Sequence, residues 1–303
     1  MNSFILPKPL KYGDTIGVIA PAAAFNEDRF QKGIAVIKSL GFLVDIPDEI
    51  FQRKRYLAGN DKLRAQIVQS MLERSDIDGI VCARGGFGTL RMIPYINQKN
   101  IFPKRIIGFS DITVLLNFLA FQYGWITFHG PVVTMLADAD SQTINAFYHA
   151  LTTPFQKSMP ASGEVKILSK GNKQQISGRL WGGNLTTLCH MIGTPYAVNP
   201  LNSILFLEDR GESLYRIDRM LSHMRLSGSL DQVKGIILGT FRECGDYEDI
   251  YNLILECFGD KIPVIAGIEC GHDLPNLTFP LGCWAEMNLE TGKIVFSFHD
   301  IVT

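Results

Sequence analysis

Apolar runs alternate with amphipathic segments over the first half of the chain. Short apolar runs predict strands at 14–20, 42–46, 79–83, 105–109 and 125–128, and apolar residues at helical spacing predict helices at 27–40, 61–73 and 112–123. Buried strands separated by such helices are typical of a parallel sheet with helices on both faces. Ligands of these sheets bind in loops that follow the carboxyl ends of the strands. The pattern therefore predicts an N-terminal α/β domain over residues 1–151.

The pattern changes after residue 151. Residues 152–177 are rich in Lys, Gln, Ser and Gly, which is typical of a linker between domains, with a strand candidate at 165–168. Beyond them, apolar runs predict strands at 203–207, 233–238, 263–268 and 293–297, and helices at 184–192 and 214–226. Residues 178–303 are therefore predicted to form a second, C-terminal α/β domain.

Bulk properties exclude several classes of protein. The 303 residues include 29 basic and 30 acidic side chains without a basic stripe, which argues against nucleic acid as a partner. The most apolar stretch, 112–128, is interrupted by Asn117, Gln122 and Gly124, so it predicts buried elements rather than a membrane span. The start of the chain lacks the pattern of a signal peptide. We therefore expect no membrane association.

The cysteines and histidines do not predict a metal site. Six cysteines are scattered in apolar settings without a CxxC pair, which favours buried thiols in a reducing cytoplasm. The sequence contains neither an HExxH motif nor a close pair of metal ligands on one element. We therefore expect no metal and no other cofactor.

Ser110 lies at a predicted strand–turn–helix junction and has two interpretations. It caps the following helix, as serines often do, or it is a nucleophile exposed on a sharp turn. The segment Gly108-Phe-Ser-Asp-Ile112 lacks the final glycine of the α/β-hydrolase elbow. In the nucleophile interpretation, the N–H of Asp111 points at the oxyanion, helped by the positive end of the helix.

The glycine-rich segment 83–88, Ala-Arg-Gly-Gly-Phe-Gly, follows a predicted strand. It matches neither GxGxxG nor a Walker motif, so nucleotide binding is disfavoured. Gly85 and Gly86 either form a tight turn that requires positive φ, or they allow backbone N–H groups to approach a ligand as oxyanion donors. The local sequence leaves both possibilities open.

A serine nucleophile needs a base and an acid that orients it. His272 is the strongest candidate base, because it lies in a glycine- and proline-shaped loop after a strand, although a solvent-facing turn histidine has the same pattern. His129 also ends a strand. Glu208 ends a buried apolar strand, where an unpaired carboxylate costs several kcal/mol and an imidazole would satisfy it. Its alternatives are pairing with Arg210 or capping the next helix, duties that fit Asp209 and Glu212 better.

Six segments together resemble the LD-carboxypeptidase family, serine peptidases that cut an amide between an L-centre and a D-amino acid. They occur in the family's order and cover nearly the whole chain. The segments are 14–21, 83–88, 107–113, 178–185, 205–209 and 267–282. The resemblance implies a triad of Ser110 as nucleophile, Glu208 as orienting carboxylate and His272 as base and then acid. It also implies oxyanion donors at the N–H groups of Asp111 and Gly86.

The resemblance further implies a fold, a substrate and an assembly. The fold is a flavodoxin-like N-terminal domain that carries the serine and a C-terminal α/β domain that carries Glu and His, with the active site in the cleft between them. The substrate is a small peptide, the murein tetrapeptide, from which the enzyme removes terminal D-alanine during cell-wall recycling in the cytoplasm. Members of the family are commonly homodimers.

Substrate contacts are suggested by position only. Arg84 and Arg210 are loop cations close to the motifs, and an Arg fork suits the free carboxylate that a carboxypeptidase must hold; structural ion pairing is the alternative. Trp181 and Asn184 are candidates to line the cleft, or else a packed turn and a helix cap.

Two other functions remain open. Some relatives cleave a peptide–nucleotide antibiotic and confer immunity to it, but they tend to be longer than 303 residues. A non-enzymatic binding module with two α/β domains around a cleft is the other alternative. It is disfavoured because a binding module needs no serine, histidine and glutamate at strand ends.

Overall fold

The computed structural model describes residues 4–97, 99–154, 158–160, 165–198, 200–259, 261–298 and 301–302. The strands are β1 (Phe4–Ile5), β2 (Thr15–Ile19), β3 (Leu43–Asp45), β4 (Gly79–Cys82), β5 (Arg105–Gly108), β6 (Thr127–His129), β7 (Ser158–Pro160), β8 (Lys166–Ser169), β9 (Gln175–Asn184), β10 (Ser203–Arg210), β11 (Val233–Arg242), β12 (Val264–Ala266), β13 (Phe279–Leu281), β14 (Trp284–Asn288), β15 (Ile294–Ser297) and β16 (Ile301–Val302). The helices are α1 (Glu27–Ser39), α2 (Asp61–Glu73), α3 (Thr89–Met92), α4 (Thr113–Tyr123), α5 (Val133–Leu136), α6 (Ser141–Thr152), α7 (Leu185–Met191), α8 (Leu214–Leu226) and α9 (Tyr247–Phe258).

The first sheet has six strands in the order β13-β6-β5-β4-β2-β3. The five strands from the first half of the chain are parallel, and β13 pairs antiparallel with β6. Without β13, the order is that of flavodoxin-like sheets. Helices α1 and α2 begin where predicted, because the side chains of Asn26 and Asn60 accept hydrogen bonds from N–H groups of the first turn, each at 2.9 Å. The predicted α/β class is confirmed.

The second sheet has eight strands in the order β7-β15-β14-β9-β10-β11-β12-β8. Its centre, β9 to β12, is parallel, whereas the flanking strands pair antiparallel. Residues 152–177, for which the sequence predicts a linker, contribute β7, β8 and the start of β9 to this sheet. The strand predicted at 165–168 corresponds to β8. Strand β1 pairs with β16 and so brings the two ends of the chain together.

Several elements differ from the sequence-based prediction. The strand predicted at 125–128 lies at 127–129, because the Ile126 N–H donates instead to Ile5 O at 2.9 Å. The sequence pattern also left α6, α9, β9, β13 and β14 unpredicted. β13 is only three residues long, and its partner strand lies about 150 residues earlier in the chain, so no local pattern specifies it. Within the described residues, no helix combines the length and the apolarity needed to cross a membrane.

Phe30 belongs to the hydrophobic core, and its truncation tests how strongly that core depends on aromatic packing. Its side chain is fully buried on α1, and its ring centroid lies 4.6 Å from that of Phe25 and 5.5 Å from that of Phe51. We expect Phe30→Ala to lower the free energy of unfolding by about 3–5 kcal/mol in urea denaturation, because truncation leaves a cavity. Leu226→Ala, at a position 83% exposed on α8, is the control and should stay within about 0.5 kcal/mol. A loss of less than about 1 kcal/mol for Phe30→Ala would contradict this packing.

Candidate active site

Ser110 sits on a strained turn at the carboxyl end of β5. The strand ends at Gly108, Phe109 is extended, and Ser110 adopts φ 62°, a left-handed conformation that is uncommon outside glycine and that concentrates at functional sites. A 3-10 turn over residues 110–112 leads into α4, and neither element has a side-chain cap. The interpretation of Ser110 as a helix cap is therefore wrong. The turn leaves the side chain facing a cavity.

The glycine loop after β4 packs directly against this turn. A Cβ on Gly85 would lie 2.8 Å from Ser110 Cβ, and Gly86 adopts φ 110°, so both positions depend on glycine. The carboxylate of Asp111 accepts a hydrogen bond from the Thr89 N–H at 2.8 Å, which ties the serine turn to the end of the glycine loop. Burial raises the pKa of Asp111 despite that hydrogen bond. The two loops thus hold the backbones of Gly86 and Asp111 close to Ser110, in the wall of one cavity.

Glu208 and His272 form a buried pair. His272 Nδ1 lies 2.7 Å from Glu208 Oε2, and the side chain of Glu208 has no exposed surface. Glu208 occupies a bulge of β10, where the register with β11 shifts between Leu207 and Asp209. Bulges redirect side chains, and this one places a carboxylate at the end of an otherwise apolar strand. Both alternatives for Glu208 are wrong, since Arg210 pairs instead with Glu243, with Nη2 3.2 Å from Oε1, and the next helix begins without a side-chain cap.

The loop that carries His272 is fixed by hydrogen bonds on both sides. The His272 N–H donates to Thr240 Oγ1 at 3.1 Å, and the His272 carbonyl accepts from Arg242 at 3.0 Å. Gly271 adopts φ 138°, and a Cβ there would lie 2.9 Å from Glu208 Oε2, so only glycine allows the carboxylate this close. The ring of His272 packs 4.7 Å from the ring of Phe109, the residue before the serine. These contacts orient the imidazole toward the Ser110 turn.

Electrostatics set the protonation of this histidine. Burial alone lowers the pKa of His272, but the charge of Glu208 and its hydrogen bond outweigh burial, so the pKa lies above its ordinary value. His129 behaves in the opposite way. It is fully buried beneath the site, and burial together with the charge of His272 lowers the pKa of His129 to about 3. His129 is therefore neutral and stays outside the residues found to line the cavities.

Two adjoining cavities meet at Ser110. The larger, of about 590 Å³, and the smaller, of about 230 Å³, share Gly86, Ser110, Arg210 and His272 in their walls. The larger cavity has four cationic side chains in its wall, Arg29, Arg84, Arg210 and Arg242, and one carboxylate, Asp138. The smaller one contains Asp111, Asn184, Asp209 and Glu212. Cationic side chains thus predominate in the larger cavity, whereas the smaller one combines three carboxylates with Arg210, His190 and His272.

The remaining candidates occupy distinct places. Asn184 caps α7 through its Oδ1, which accepts the Thr187 N–H at 3.0 Å, and its Nδ2 donates to Asp209 Oδ1 at 2.9 Å. Trp181 is buried 4.6 Å from the ring of Phe121 and does not line either cavity as described. Sequence reasoning missed Arg242, although its position at the end of β11 was a usable signal. Arg29 gave none, because it is one of several charged residues on α1.

The described residues contain no cluster of three His, Cys, Asp or Glu side chains able to hold a metal ion. What the arrangement offers instead is a serine, a charge-stabilised imidazole and two backbone segments rich in N–H groups around one point. Those are the parts needed for nucleophilic acyl transfer.

Comparisons with known proteins agree on one family. Residues 16–130 match the family model described as the LD-carboxypeptidase N-terminal domain, and residues 177–287 match that of its C-terminal domain. The murein tetrapeptide carboxypeptidase of Pseudomonas aeruginosa is 32% identical, over 88% of this chain and 91% of that protein. The muramoyltetrapeptide carboxypeptidase structure from Oxalobacter formigenes superposes with a TM-score of 0.80 at 30% identity, over 95% of this chain and all of the other.

A second kind of relative is equally similar in sequence. The microcin C7 self-immunity protein MccF of Escherichia coli is 32% identical, over 96% of this chain and 95% of that protein. A wild-type MccF structure without ligand gives a TM-score of 0.91 at 27% identity, over 98% of this chain and all of the other. The similarity therefore extends over both sheets in each case.

The effect of Glu208 on the imidazole is directly measurable. Glu208→Gln removes the charge that raises the pKa of His272 and leaves the burial that lowers it, so we expect the ring to titrate at lower pH. NMR titration of the His272 ring carbons in the wild type and the variant measures the shift. Glu243→Gln is the matched control, because that carboxylate pairs with Arg210 and Arg242 and not with the imidazole. An unchanged or higher His272 pKa in Glu208→Gln would show that the pair does not control the protonation.

Proposed function

The chain belongs to the LD-carboxypeptidase family and is a serine-type carboxypeptidase, and from this premise we propose that it releases the terminal D-alanine of murein tetrapeptides through attack by Ser110. One observation carries the proposal: a serine on a strained turn lines the same two cavities as His272, whose imidazole is paired with the buried Glu208. A homodimeric assembly in the cytoplasm, which the family resemblance implies, is part of the same proposal.

The first half of the reaction forms an ester. Glu208 engages His272 Nδ1, which leaves Nε2 as the atom that accepts the proton of Ser110 Oγ as Oγ attacks the amide carbonyl. The negative charge that develops on the carbonyl oxygen is held by the N–H groups of Gly86 and Asp111. The carboxylate of Glu208 stabilises the imidazolium formed in this step.

The second half regenerates the enzyme. Nε2 gives its proton to the amide nitrogen, the C–N bond breaks, and D-alanine leaves while the remaining peptide is esterified to Ser110. Water then attacks the ester with His272 again as base, and the proton returns to Oγ. Because His272 must be neutral to accept the first proton, the rate rises with pH through a pKa above the ordinary histidine value.

The cationic cavity supports an exopeptidase that holds a free carboxylate. Three of its four arginines already have carboxylate partners: Arg29 pairs with Asp138 at 2.6 Å, and Arg210 and Arg242 pair with Glu243 at 3.2 and 3.3 Å. Arg84 donates one hydrogen bond to Ala24 O at 2.8 Å and has no carboxylate partner among the described residues. Its guanidinium is therefore the one we propose to bind the terminal carboxylate, with Arg210 at the border of both cavities.

Similarity to MccF favours a second candidate. Structures of MccF have been determined with aspartyl sulfamoyl adenosine and glutamyl sulfamoyl guanosine. The same serine and histidine would cleave an aminoacyl nucleotide if the cavities accept it. Parallel incubations with the tetrapeptide and with an aminoacyl sulfamoyl adenosine separate the two functions, since each releases a different product. Release of D-alanine without nucleoside release supports the murein substrate, and the reverse result supports the immunity function.

Ser110→Ala tests the proposed nucleophile. We expect D-alanine release from L-Ala–γ-D-Glu–meso-diaminopimelate–D-Ala, followed by mass spectrometry, to fall by about 10⁴-fold or more, because the variant has no oxygen to acylate. Circular dichroism should show that the variant remains folded. Ser70→Ala, on α2 away from both cavities, is the matched control and should keep wild-type turnover. Substantial activity in Ser110→Ala would contradict the mechanism.

Arg84→Gln tests the proposed carboxylate contact. A charge-assisted hydrogen bond is worth about 1.5–3 kcal/mol, so we expect KM to rise by about 10- to 100-fold with a smaller change in kcat. A substrate ending in D-alaninamide has no carboxylate to bind, so wild type and variant should cleave it with similar kcat/KM. If the variant weakens the amide substrate as much as the acid, Arg84 does not bind the carboxylate.

A further inference from the structure

Asn117 is a buried polar residue in a predominantly apolar helix. It lies in the middle of α4 and has no exposed surface. Leaving a buried amide without partners costs about 1–3 kcal/mol, so its hydrogen bonds must matter. Its Nδ2 donates to Gly182 O at 2.9 Å as well as to Thr113 O at 2.7 Å. The Gly182 N–H in turn lies 3.5 Å from Asn117 Oδ1.

The side chain thus contacts a strand of the other sheet. Gly182 belongs to β9, and the register of β14 on β9 runs from Gln175 to Arg179, so the amide meets the strand beyond that paired stretch. The Asn117 amide accepts from the N–H of Gly182 and donates to its C=O. The backbone of a neighbouring strand would make the same two kinds of hydrogen bond. It joins the helix that follows the serine turn to the second sheet.

Thr113 makes a second link one turn earlier on the same face of α4. Its Oγ1 accepts the Asn184 N–H at 3.1 Å. Gly183 permits this approach, because a Cβ on it would lie 2.5 Å from Thr113 Oγ1, whereas a Cβ on Gly182 would lie 2.0 Å from Phe206 O of the neighbouring strand β10. Both glycines adopt φ above 130°. Helix and strand are therefore in closer contact than side chains would otherwise allow.

These links connect the two halves of the proposed triad by a short route. Thr113 lies three residues after Ser110, and Asn184 lies directly opposite Glu208 in the register of β9 and β10. Building on the proposed function, we propose that Asn117, together with Thr113, is a positioning residue that sets the distance between Ser110 and the Glu208–His272 pair. It acts through the backbone of β9 and does not touch the substrate.

The rate of acyl transfer is sensitive to the distance between Ser110 and the Glu208–His272 pair. Ser110 comes from the first sheet, whereas Glu208 and His272 come from strand ends of the second, and the rings of Phe109 and His272 are in contact between them. Displacement of a reacting group by about 1 Å costs about 10²-fold in rate. Loss of the Asn117 amide is therefore expected to reduce the chemical step rather than substrate binding.

Asn117→Leu is the variant that tests this role, because leucine has a similar volume but no polar atoms. We expect kcat for D-alanine release to fall by about 10- to 100-fold while KM stays within about threefold. The apparent pKa of the kcat/KM profile should not change, since the Glu208–His272 pair remains intact. The rate at which phenylmethylsulfonyl fluoride modifies Ser110, followed by intact-protein mass spectrometry, should fall in parallel.

Thr127→Val is the matched control. Thr127 is also buried and donates to Leu116 O on the same helix at 3.2 Å, but this bond stays within the first half of the structure. It should lower the melting temperature about as much as Asn117→Leu and leave kcat within twofold. If Thr127→Val loses as much kcat as Asn117→Leu, the effect is general destabilisation and the positioning role is wrong.

A second variant keeps the test decisive if Asn117→Leu does not fold. Thr113→Val is nearly isosteric, removes the acceptor for the Asn184 N–H, and should reduce kcat in the same direction. Folded variants at both positions with wild-type kcat and wild-type sulfonylation rates would overturn the inference. The sulfonylation rate needs no peptide substrate, so it reports on positioning even if the tetrapeptide is not cleaved, an outcome that would reject the proposed function alone.

Discussion

The burial of Glu208 is the constraint on which the site depends. A carboxylate with no exposed surface is stable only if a partner offsets its lost hydration, and here the partner is the imidazole of His272 at 2.7 Å. The bulge of β10 aims the carboxylate, and Gly271 lets it approach. Thr240 and Arg242 hold the backbone of the histidine loop. Together they define the orientation of one ring and leave its second nitrogen available.

The other parts of the site, the glycine loop and the serine turn, belong to the first sheet and lie beside that ring. Parallel strands bring their carboxyl ends to one edge, so the glycine loop after β4 and the serine turn after β5 are neighbours although more than twenty residues separate them. Phe109 packs on His272, and the Asp111 carboxylate accepts a hydrogen bond from the Thr89 N–H at the end of the glycine loop. Hydrogen bonds of Thr113 and Asn117 join the following helix to β9. Polar contacts between buried groups thus set the geometry of the cleft.

The sequence predicts those parts of the site that have a local pattern of residues. The apolar runs located the parallel strands of the first sheet and β10 to β12 of the second, and the position of Ser110, Glu208 and His272 after such runs, together with the family resemblance, selected them as candidates. The structure places Glu208 against His272, and His272 beside the Ser110 turn. The sequence leaves the capping interpretation of Ser110 open, because a strand, a turn and a helix have the same pattern whether the serine is a cap or a nucleophile. Only the backbone conformation at Ser110 separates the two.

Features set by distant contacts could not be predicted in this way. Pairing of β13 with β6 joins segments about 150 residues apart, and Asn117 meets Gly182 across 65 residues. The sequence makes Trp181 a candidate cleft residue, yet its indole packs against Phe121, and of the two following glycines Gly183 permits the approach of α4 whereas Gly182 faces Phe206 of β10. Ion-pair partners could not be predicted either, because Arg210 is adjacent to Asp209 in sequence but pairs with Glu243. Each of these depends on which strands become neighbours.

We propose that the two sheets together bring Ser110 under the control of the Glu208–His272 pair. Labelling with a small fluorophosphonate across a range of pH, with peptide mapping by mass spectrometry, tests this most directly. We expect a single adduct on Ser110, formed at a rate that rises with pH as the His272 ring loses its proton. An adduct on another side chain, or a labelling rate of Ser110 that ignores the protonation of His272, would contradict it.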